Sequence, residues 1–331
     1  MSGSPTPIAE QVIAAPSDDE LNPAVEKALA EHADEIVARY SRQNHLDRPV
    51  TAAMVRAHYY TERRLARSIR ESTRENRTRV AEEAYRSYYR ECWWLTAWQV
   101  PASVDPREFS HFPKLLRPYG RRVYEVGSGS GALAAFLCRN GFDCVATDIG
   151  SAPRGEAKTG GLVWHNTDGI HLTRYEPAAS YDVVISTQLV EHLHPDDIGE
   201  HCAEAARLLK PGGAYLIVTP NRLSGPADVA ELFDMEVSDC FHLREYTHGE
   251  LAAILRRSGF ARVRAVYAAP KKVRAIYELC FVSALYLRAL VAFERFMDRF
   301  QRRPRRRILG ILHKLALWRF DVFLLAERAC E

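Results

Sequence analysis

The feature that most constrains the fold of this chain is a glycine-rich turn between an apolar strand and an apolar helix. Residues 122–126 (RVYEV) are β-branched and aromatic, Gly127, Gly129 and Gly131 follow, and residues 132–140 have a helical pattern. Such a unit opens βαβ folds, and its glycines let the backbone approach a nucleotide-like ligand. The turn therefore predicts a binding site at the carboxyl edge of a parallel sheet.

The alternation of strand and helix continues to the end of the chain. Helices are predicted at 196–209 and 247–258. Further strands are predicted at 144–148, 162–166, 182–186, 214–218, 259–268 and 319–329. Short apolar strands that alternate with helices are typical of a parallel sheet covered on both faces. The fold class is therefore α/β and Rossmann-like.

Changes in residue composition and pattern divide the chain into five predicted parts. The first is rich in Pro, Ser, Ala and acidic residues, which predicts disorder. In the second, Asn22 is the expected N-cap and Pro23 the first residue of a helix. The predicted parts are a disordered leader (1–22), a helical N-terminal extension (23–105), an α/β core (106–270), a basic amphipathic helical insert (271–318), and the last strand with the C-terminus (319–331).

An aromatic stripe lies near the end of the extension. Its members recur at helical spacing: Tyr85, Tyr88, Tyr89, Trp93, Trp94 and Trp98. Amphipathic faces usually pack on a neighbouring core, so packing against the next domain is the favoured interpretation. A wall on which a substrate stacks is the alternative.

Composition excludes several classes of protein. Among 331 residues, 45 Lys and Arg stand against 42 Asp and Glu, and a net charge of +3 is too small for a nucleic-acid binder that acts through bulk charge. Seven cysteines without a C-x-x-C pair argue against a disulfide framework or a zinc cage. No secretory signal is visible at the N-terminus, so a cytoplasmic location is expected.

The glycine turn alone does not identify the ligand. Gly127, Gly129 and Ala132 also satisfy the dinucleotide fingerprint G-x-G-x-x-A. Asp148 ends the second strand, where a carboxylate accepts hydrogen bonds from two ribose hydroxyls with either ligand. The further acids Glu125 and Asp168, together with the segment LKPGGAYLIVTPN, favour a ligand other than a nicotinamide dinucleotide.

Several motifs together resemble the class I S-adenosylmethionine-dependent methyltransferases over roughly residues 121–328. They are EVGSGSG, the acid of ATDIG, the TDG turn, YDVVISTQLVEHL and LKPGGAYLIVTP. The resemblance implies a seven-stranded sheet with an antiparallel last strand and S-adenosylmethionine as cofactor. It implies that Glu125 and the glycine loop flank the methionine part, that Asp148 binds the ribose, and that Asp168 contacts the adenine amino group. The implied cofactor-binding residues are Glu125, Gly127, Ser128, Gly129, Gly131, Asp148, Asp168, Gly169 and Gln188.

Catalytic candidates follow the fourth strand. Methyl transfer to a hydroxyl needs a base, and the adjacent Glu191 and His192 lie where the acceptor meets the methyl group in such sheets. In some relatives an E-x-x-E-H run and a later His hold a divalent metal. Here Gln188 replaces the first acid, which leaves Glu191, His192 and His242 as candidate ligands for Mg²⁺ or Zn²⁺. Purely structural roles for these side chains are the third alternative.

The basic insert requires a partner of some kind. Residues 271–319 carry thirteen Lys and Arg and three acids, beside apolar helical stretches. Three interpretations compete: docking on the inner face of a membrane, a cover over the substrate pocket, and a homodimer interface.

These patterns predict a methyltransferase that methylates an oxygen of a small molecule, sugar or lipid-linked intermediate, with His192 as the candidate base. N-methylation of a small-molecule amine is the first alternative. A non-catalytic, cofactor-binding partner in a membrane-associated assembly is the second.

Overall fold

The computed structural model describes residues 21–97, 106–149, 162–269 and 279–330. The helices in these ranges are α1 Pro23–Gln43, α2 Ala52–Arg70, α3 Arg77–Glu91, α4 Trp94–Ala97, α5 Pro106–Phe109, α6 Phe112–Leu116, α7 Ala132–Arg139, α8 Ile198–Leu208, α9 His248–Arg257, α10 Ala284–Met297 and α11 Arg302–Lys314. The strands are β1 Arg122–Val126, β2 Asp143–Asp148, β3 Val163–Asn166, β4 Tyr181–Thr187, β5 Leu209–Pro220, β6 Phe260–Ala268, β7 Cys280–Ser283 and β8 Asp321–Arg328.

The extension begins as the sequence predicts and then breaks. The Asn22 side chain accepts a hydrogen bond from the Ala24 amide, with Pro23 in the first turn of α1. After α1, the predicted helical extension (23–105) is divided between α2, α3 and α4 in the described residues. Thr51 caps α2 through the Met54 amide. Residues 1–20, with most of the predicted leader, and Trp98 lie outside the described residues.

The strands form one sheet in the order β3-β2-β1-β4-β5-β8-β6-β7. The first five strands pair in parallel, and β8 runs antiparallel between β5 and β6. The α/β Rossmann-like fold and the antiparallel last strand are therefore confirmed. The parallel strands present their carboxyl ends at one edge, where the binding site was expected.

The number of strands is a correction. We predicted seven strands and a helical insert from residue 271, but the structure has an eighth strand at Cys280–Ser283, paired antiparallel with Ala265–Ala268 of β6. Phe281 and Val282 suit a strand, and β6 offers an open edge that satisfies their backbone groups. Residues 271–278 of the predicted insert lie outside the described residues.

Several contacts tie the extension to the core. The rings of Tyr59 on α2 and Phe233 pack edge to face with centroids 5.2 Å apart. A buried ion pair joins Arg77 on α3 to Asp197, with Nη1 and Oδ1 2.6 Å apart. These contacts hold the extension over the carboxyl edge of the sheet.

Helices α10 and α11 follow β7 and lie against the core through one face each. Leu287, Leu290 and Met297 of α10 and Leu309 of α11 are buried in the main hydrophobic cluster. None of the helices in the described ranges is long and apolar enough to cross a bilayer.

Candidate active site

A cleft lies at the carboxyl ends of the parallel strands, beneath α2 and α3. It encloses about 980 Å³ of empty space. Its floor includes Gly127, Gly129, Asp148, Asp168, Gly169, Gln188 and His192, and its roof includes Ile69, Arg77, Tyr85 and Tyr89. We call it the cofactor cleft. Seven of the predicted site residues are thus brought to one cavity.

The glycine loop opens its backbone to the cleft. Gly127 has a φ of 69°, and a Cβ there would lie 2.8 Å from Cδ1 of Leu189. Gly129 has a φ of 53°, and a Cβ on it would meet nothing within 4 Å. Its amide donates to Oδ2 of Asp148 at 2.7 Å. Gly127 is therefore needed for close packing, and Gly129 leaves room for a ligand beside Asp148.

Asp168 is held in one orientation by the turn that follows β3. Its Oδ1 accepts from the amides of Ile170 and His171, and its Oδ2 lies 2.6 Å from Nδ1 of His171. Burial would raise the pKa of Asp168, but the hydrogen bonds from His171 and the two amides outweigh it and lower the pKa. Asp168 is therefore an ionised acceptor in the cleft wall.

Three predicted residues lie behind the loop rather than among the residues that line the cleft. Glu125 is buried, and burial raises its pKa to about 8. The Ser128 hydroxyl donates to the Glu125 carbonyl, and Gly131 begins α7 with a φ of 75°. The structure thus places them as supports of the loop.

The cleft also contains a hydrogen-bonding group without a protein partner. Oγ1 of Thr167 is buried in the cleft wall and has no hydrogen-bond partner among the described residues. With the open backbone at Gly129 and the carboxylates Asp148 and Asp168, it fits a ligand with ribose hydroxyls and an adenine amino group.

Comparison with known proteins agrees with this geometry. Residues 103–265 match a family model described as a methyltransferase domain. This domain belongs to the class I S-adenosylmethionine-dependent methyltransferases. S-adenosylmethionine is the cofactor of this superfamily, and the cofactor cleft fits it.

Individual relatives cover only part of this chain. A probable S-adenosylmethionine-dependent methyltransferase of Mycolicibacterium smegmatis is 32% identical over 43% of this chain and 52% of its own length. A ubiquinone biosynthesis O-methyltransferase of Marinobacter nauticus is 29% identical over 39% of this chain and 58% of its own length. The chain thus spans about half the length of these two relatives.

Among solved structures, an S-adenosylmethionine-dependent methyltransferase from Archaeoglobus fulgidus is 19% identical. It matches 67% of this chain and 94% of its own chain, with a TM-score of 0.43.

The predicted catalytic residues come together beside the cleft. The rings of His192 and His242 pack edge to face with centroids 4.9 Å apart. Glu191, His192 and His242 place one potential ligand atom each within 4.8 Å of one another. Oε2 of Glu191 accepts from the Thr219 hydroxyl at 2.8 Å, and Oε1 has no hydrogen-bond partner among the described residues.

The pKa values of these three residues are shifted in different directions. Burial and the neighbouring His242 lower the pKa of His192 to about 3. Burial would lower the pKa of His242, but the hydrogen bond to Glu245 and the carboxylates Asp228 and Glu191 raise it to about 9. Burial raises the pKa of Glu191 to about 7. At neutral pH His192 is therefore uncharged and His242 is a cation.

A second cavity adjoins the cofactor cleft. It has an empty volume of about 870 Å³ and lies between the extension and residues 227–242. Its lining includes His58, Glu62, Tyr88, Phe241 and His242. His192 lines both cavities, so it stands where they meet.

Gln188 is directed away from the cluster of Glu191, His192 and His242. Its backbone has a φ of 54°. Its side chain hydrogen-bonds to Asp321 on β8, and this bond partly offsets the rise in the Asp321 pKa that burial causes. The replaced acid of the metal-binding run is therefore not compensated by the amide of Gln188.

Sequence reasoning missed most of the roof of the cleft. Ile69 and Arg77 carry no motif, and they reach the cleft only because α2 and α3 pack over the sheet. The aromatic stripe was the available signal. Tyr85 and Tyr89 line the cofactor cleft, Tyr88 lines the second cavity, and the Trp94 indole donates to the Tyr40 hydroxyl within the extension.

Proposed function

We propose that this chain transfers a methyl group from S-adenosylmethionine to a hydroxyl oxygen of a small molecule, sugar or lipid-linked intermediate. The observation that carries the proposal is the position of His192 between the cofactor cleft and the second cavity. Its Nδ1 lies 3.0 Å from the Phe241 carbonyl, which accepts only from a protonated Nδ1. Nε2 therefore keeps its lone pair and can take a proton.

The low pKa of His192 suits this role. S-adenosylmethionine, when bound, supplies a methyl group on a positively charged sulfur. As the acceptor oxygen bonds to that carbon, the carbon–sulfur bond breaks and the oxygen becomes a strongly acidic oxonium. Neutral His192, whose pKa is about 3, then takes the hydroxyl proton on Nε2. The walls of the two cavities align the reacting atoms.

The names of the relatives support oxygen as the acceptor atom. Curated relatives at about 30% identity include several ubiquinone biosynthesis O-methyltransferases. The full chain should move label from methyl-labelled S-adenosylmethionine to hydroxyl acceptors, with product identified as a methyl ether by mass spectrometry. Label found only on amines would replace the proposal with N-methylation, and S-adenosylhomocysteine binding without transfer to any acceptor would favour a non-catalytic partner.

A divalent metal is the second candidate for activating the acceptor, and the residues present fit one. Glu191 offers a buried, unpartnered Oε1. Nδ1 of His192 faces the Phe241 carbonyl, and Nδ1 of His242 lies 2.7 Å from Glu245, so both rings are oriented with Nε2 left for a ligand. Mg²⁺ or Zn²⁺ held by these three residues would lower the pKa of the acceptor hydroxyl.

Metal removal separates the two candidates. We expect methyl transfer to survive dialysis against a chelator, because the lone pair of His192 suffices for an oxonium proton. Activity should be compared before dialysis, after dialysis, and after return of Mg²⁺ or Zn²⁺. Loss of activity on dialysis with recovery on adding metal would assign acceptor activation to the metal instead.

A further inference from the structure

The hydrogen-bonding groups of the second cavity are mostly acceptors. The side-chain NH₂ groups of Gln43 and Asn44 donate to Glu231 and to the Tyr40 carbonyl, which leaves their amide oxygens for a ligand. Oε1 of Glu62 lies 2.7 Å from Nε2 of His58, and Oε2 is 3.4 Å from the Phe241 amide. A carboxylate has room for more donors than these two. The cavity therefore suits a ligand rich in hydrogen-bond donors.

The charge and shape of the cavity further restrict the class of ligand that fits it. No lysine or arginine is among the described residues that line it, and Glu62 and Asp228 are. An anionic group would meet these two carboxylates there, and the cationic His242 beside it is already paired with Glu245 at 2.7 Å. Tyr88 and Phe241, with ring centroids 5.1 Å apart, provide an aromatic wall for the flat face of a ring.

We propose that the second cavity binds the acceptor as a ring with two neighbouring hydroxyl groups, as in a sugar or a catechol, and that Glu62 selects it. One hydroxyl lies at Nε2 of His192 and is methylated. Glu62 accepts a hydrogen bond from the other and thereby acts as a specificity-determining residue. This inference rests on the proposed function, because it takes the second cavity as the acceptor site.

Binding measurements test the inference without requiring turnover. The full chain, saturated with S-adenosylhomocysteine, should be titrated calorimetrically with a simple catechol, a methyl glycoside, their single-hydroxyl analogues and phosphorylated analogues. Removing one charge-assisted hydrogen bond should weaken diol binding about tenfold in Glu62→Gln and leave binding of single-hydroxyl rings unchanged. The matched control is Glu83→Gln, on the exposed surface of α3.

Each outcome has a definite meaning. Preference for the catechol or for the glycoside identifies the source of the diol. Equal loss of binding for diols and single-hydroxyl rings in Glu62→Gln would show a merely structural role for Glu62 and overturn the inference. Tighter binding of phosphorylated rings, or binding of neither diol, would also overturn it. Diol binding without methyl transfer would contradict the proposed function and leave the cavity assignment standing.

A separate observation concerns the outer surface of α10 and α11. Nine of the thirteen exposed large apolar side chains in the described residues lie between 279 and 320: Leu279, Phe281, Leu285, Phe296, Ile308, Ile311, Leu315, Leu317 and Phe320. Leu285 is 74% exposed and Ile311 60% exposed. Such a concentration of apolar surface is characteristic of a docking site.

Basic side chains share the outward faces of these helices. On α11 the exposed residues Arg303, Arg307, Ile311 and Leu315 follow each other at four-residue spacing, which places them on one helix face. On α10, Leu285, Arg288 and Phe296 are also exposed, and exposed Arg299 follows just after the end of the helix. Residues 279–320 contain ten Lys and Arg against two acids, Glu294 and Asp298.

The arginine run at 302–307 is divided between two functions. Arg302 pairs with Asp234 at 2.8 Å, Arg305 donates to the Leu223 carbonyl, and Arg306 pairs with Glu231 at 2.7 Å. These three bind the insert to the core. Arg303, which is 88% exposed, and Arg307 face outward with the apolar residues.

The structure assigns this surface, defined by the exposed apolar residues above with Arg303, Arg307 and Lys314, to an anionic membrane. Lipid headgroups satisfy the positive charges while the apolar side chains enter the acyl boundary. A homodimer through the same patch would place arginines of two copies against each other. None of the described residues of α10 and α11 lines the cofactor cleft or the second cavity, which argues against a pocket cover.

Vesicle co-sedimentation tests the assignment. The full chain should bind phosphatidylcholine vesicles that contain phosphatidylglycerol and not vesicles of phosphatidylcholine alone. Arg303→Gln, Arg307→Gln and Lys314→Gln together should lower partitioning by about a hundredfold, since each basic residue near an anionic surface contributes roughly fivefold. Ile311→Ser with Leu315→Ser should also weaken it, and Lys27→Gln with Arg79→Gln on the extension is the matched control. Equal binding to both vesicle types, or a dimer that the serine variants dissociate, would overturn the assignment.

Discussion

His192→Ala is expected to lower kcat for methyl transfer by about 10²- to 10⁴-fold, which is the usual contribution of a positioned general base. The alanine removes the lone pair of Nε2, and the acceptor proton must then leave to water. The cofactor cleft keeps its glycine loop and both acids, so the Kd for S-adenosylhomocysteine should change little. Single-turnover transfer of labelled methyl groups, together with calorimetry, measures the two quantities separately.

The control for this variant is His32→Ala, because His32 is exposed on α1 far along the chain from the cleft. The pH profile adds a second check. The pKa of His192 is lowered to about 3, so its base form is fully present above about pH 4 and is lost only below it. Protonation of His192 should therefore not reduce kcat between pH 8 and pH 6. Unchanged kcat in His192→Ala would remove His192 from the mechanism.

Asp148→Ala is expected to weaken binding of S-adenosylhomocysteine by about a hundredfold. A carboxylate that accepts from two ribose hydroxyls makes two charge-assisted hydrogen bonds, and their loss costs about 3 kcal/mol, at about 1.4 kcal/mol for each factor of ten. The amide of Gly129 also loses its acceptor, which lies 2.7 Å away in the structure. Isothermal titration calorimetry with the full chain gives the Kd directly.

Two further variants sharpen this experiment. Asp143→Ala lies at the exposed beginning of the same strand and should leave the Kd unchanged. Asp148→Asn retains one acceptor oxygen for Gly129 but loses the charge, so its Kd should lie between those of the wild type and Asp148→Ala. An unaltered Kd in Asp148→Ala, or tight binding of a nicotinamide dinucleotide by the wild type, would contradict the assignment of the cleft.

The parts of the fold that the sequence predicts are those that depend on local patterns. Seven of the eight strands are short apolar runs bounded by turns, and the predicted core helices α7, α8 and α9 follow helical patterns, with the capping box of Thr247 and Glu250 at the start of α9. Strand β7 was predicted as helix because Cys280–Ser283 directly precedes an apolar helical run. Its conformation depends on the open edge of β6, which only the assembled sheet provides.

The site residues also divide into those that local motifs predict and those that only the packing of the helices places. The glycine loop, Asp148 and Asp168 belong to turns that follow parallel strands, and such turns always meet at one edge of the sheet. Tyr85, Tyr89 and Arg77 come from a different part of the chain, and their place depends on how α3 packs, which includes the buried pair with Asp197. Their spacing alone shows an aromatic helix face and not what that face covers.

The arginine run shows that the sequence alone does not predict which charged side chains remain available to a partner. From the sequence, residues 302–307 form one basic patch. In the structure Arg302, Arg305 and Arg306 turn inward to Asp234, the Leu223 carbonyl and Glu231, so they no longer serve an external partner. Helical periodicity divides the run into two faces, and the position of the core selects which face is buried.

The sequence by itself determined the α/β architecture and the chemistry of the cofactor-binding turns, because both arise from residues close together in the chain. Only the tertiary structure decided that the two histidines of the site lie in contact. His192 and His242 are fifty positions apart in the chain, and their rings meet at 4.9 Å because the backbone at Phe241 folds against the turn after β4. Burial lowers the pKa of His192, whereas the hydrogen bond to Glu245 and the carboxylates Asp228 and Glu191 raise that of His242 against its own burial, which makes one imidazole a free base and the other a cation.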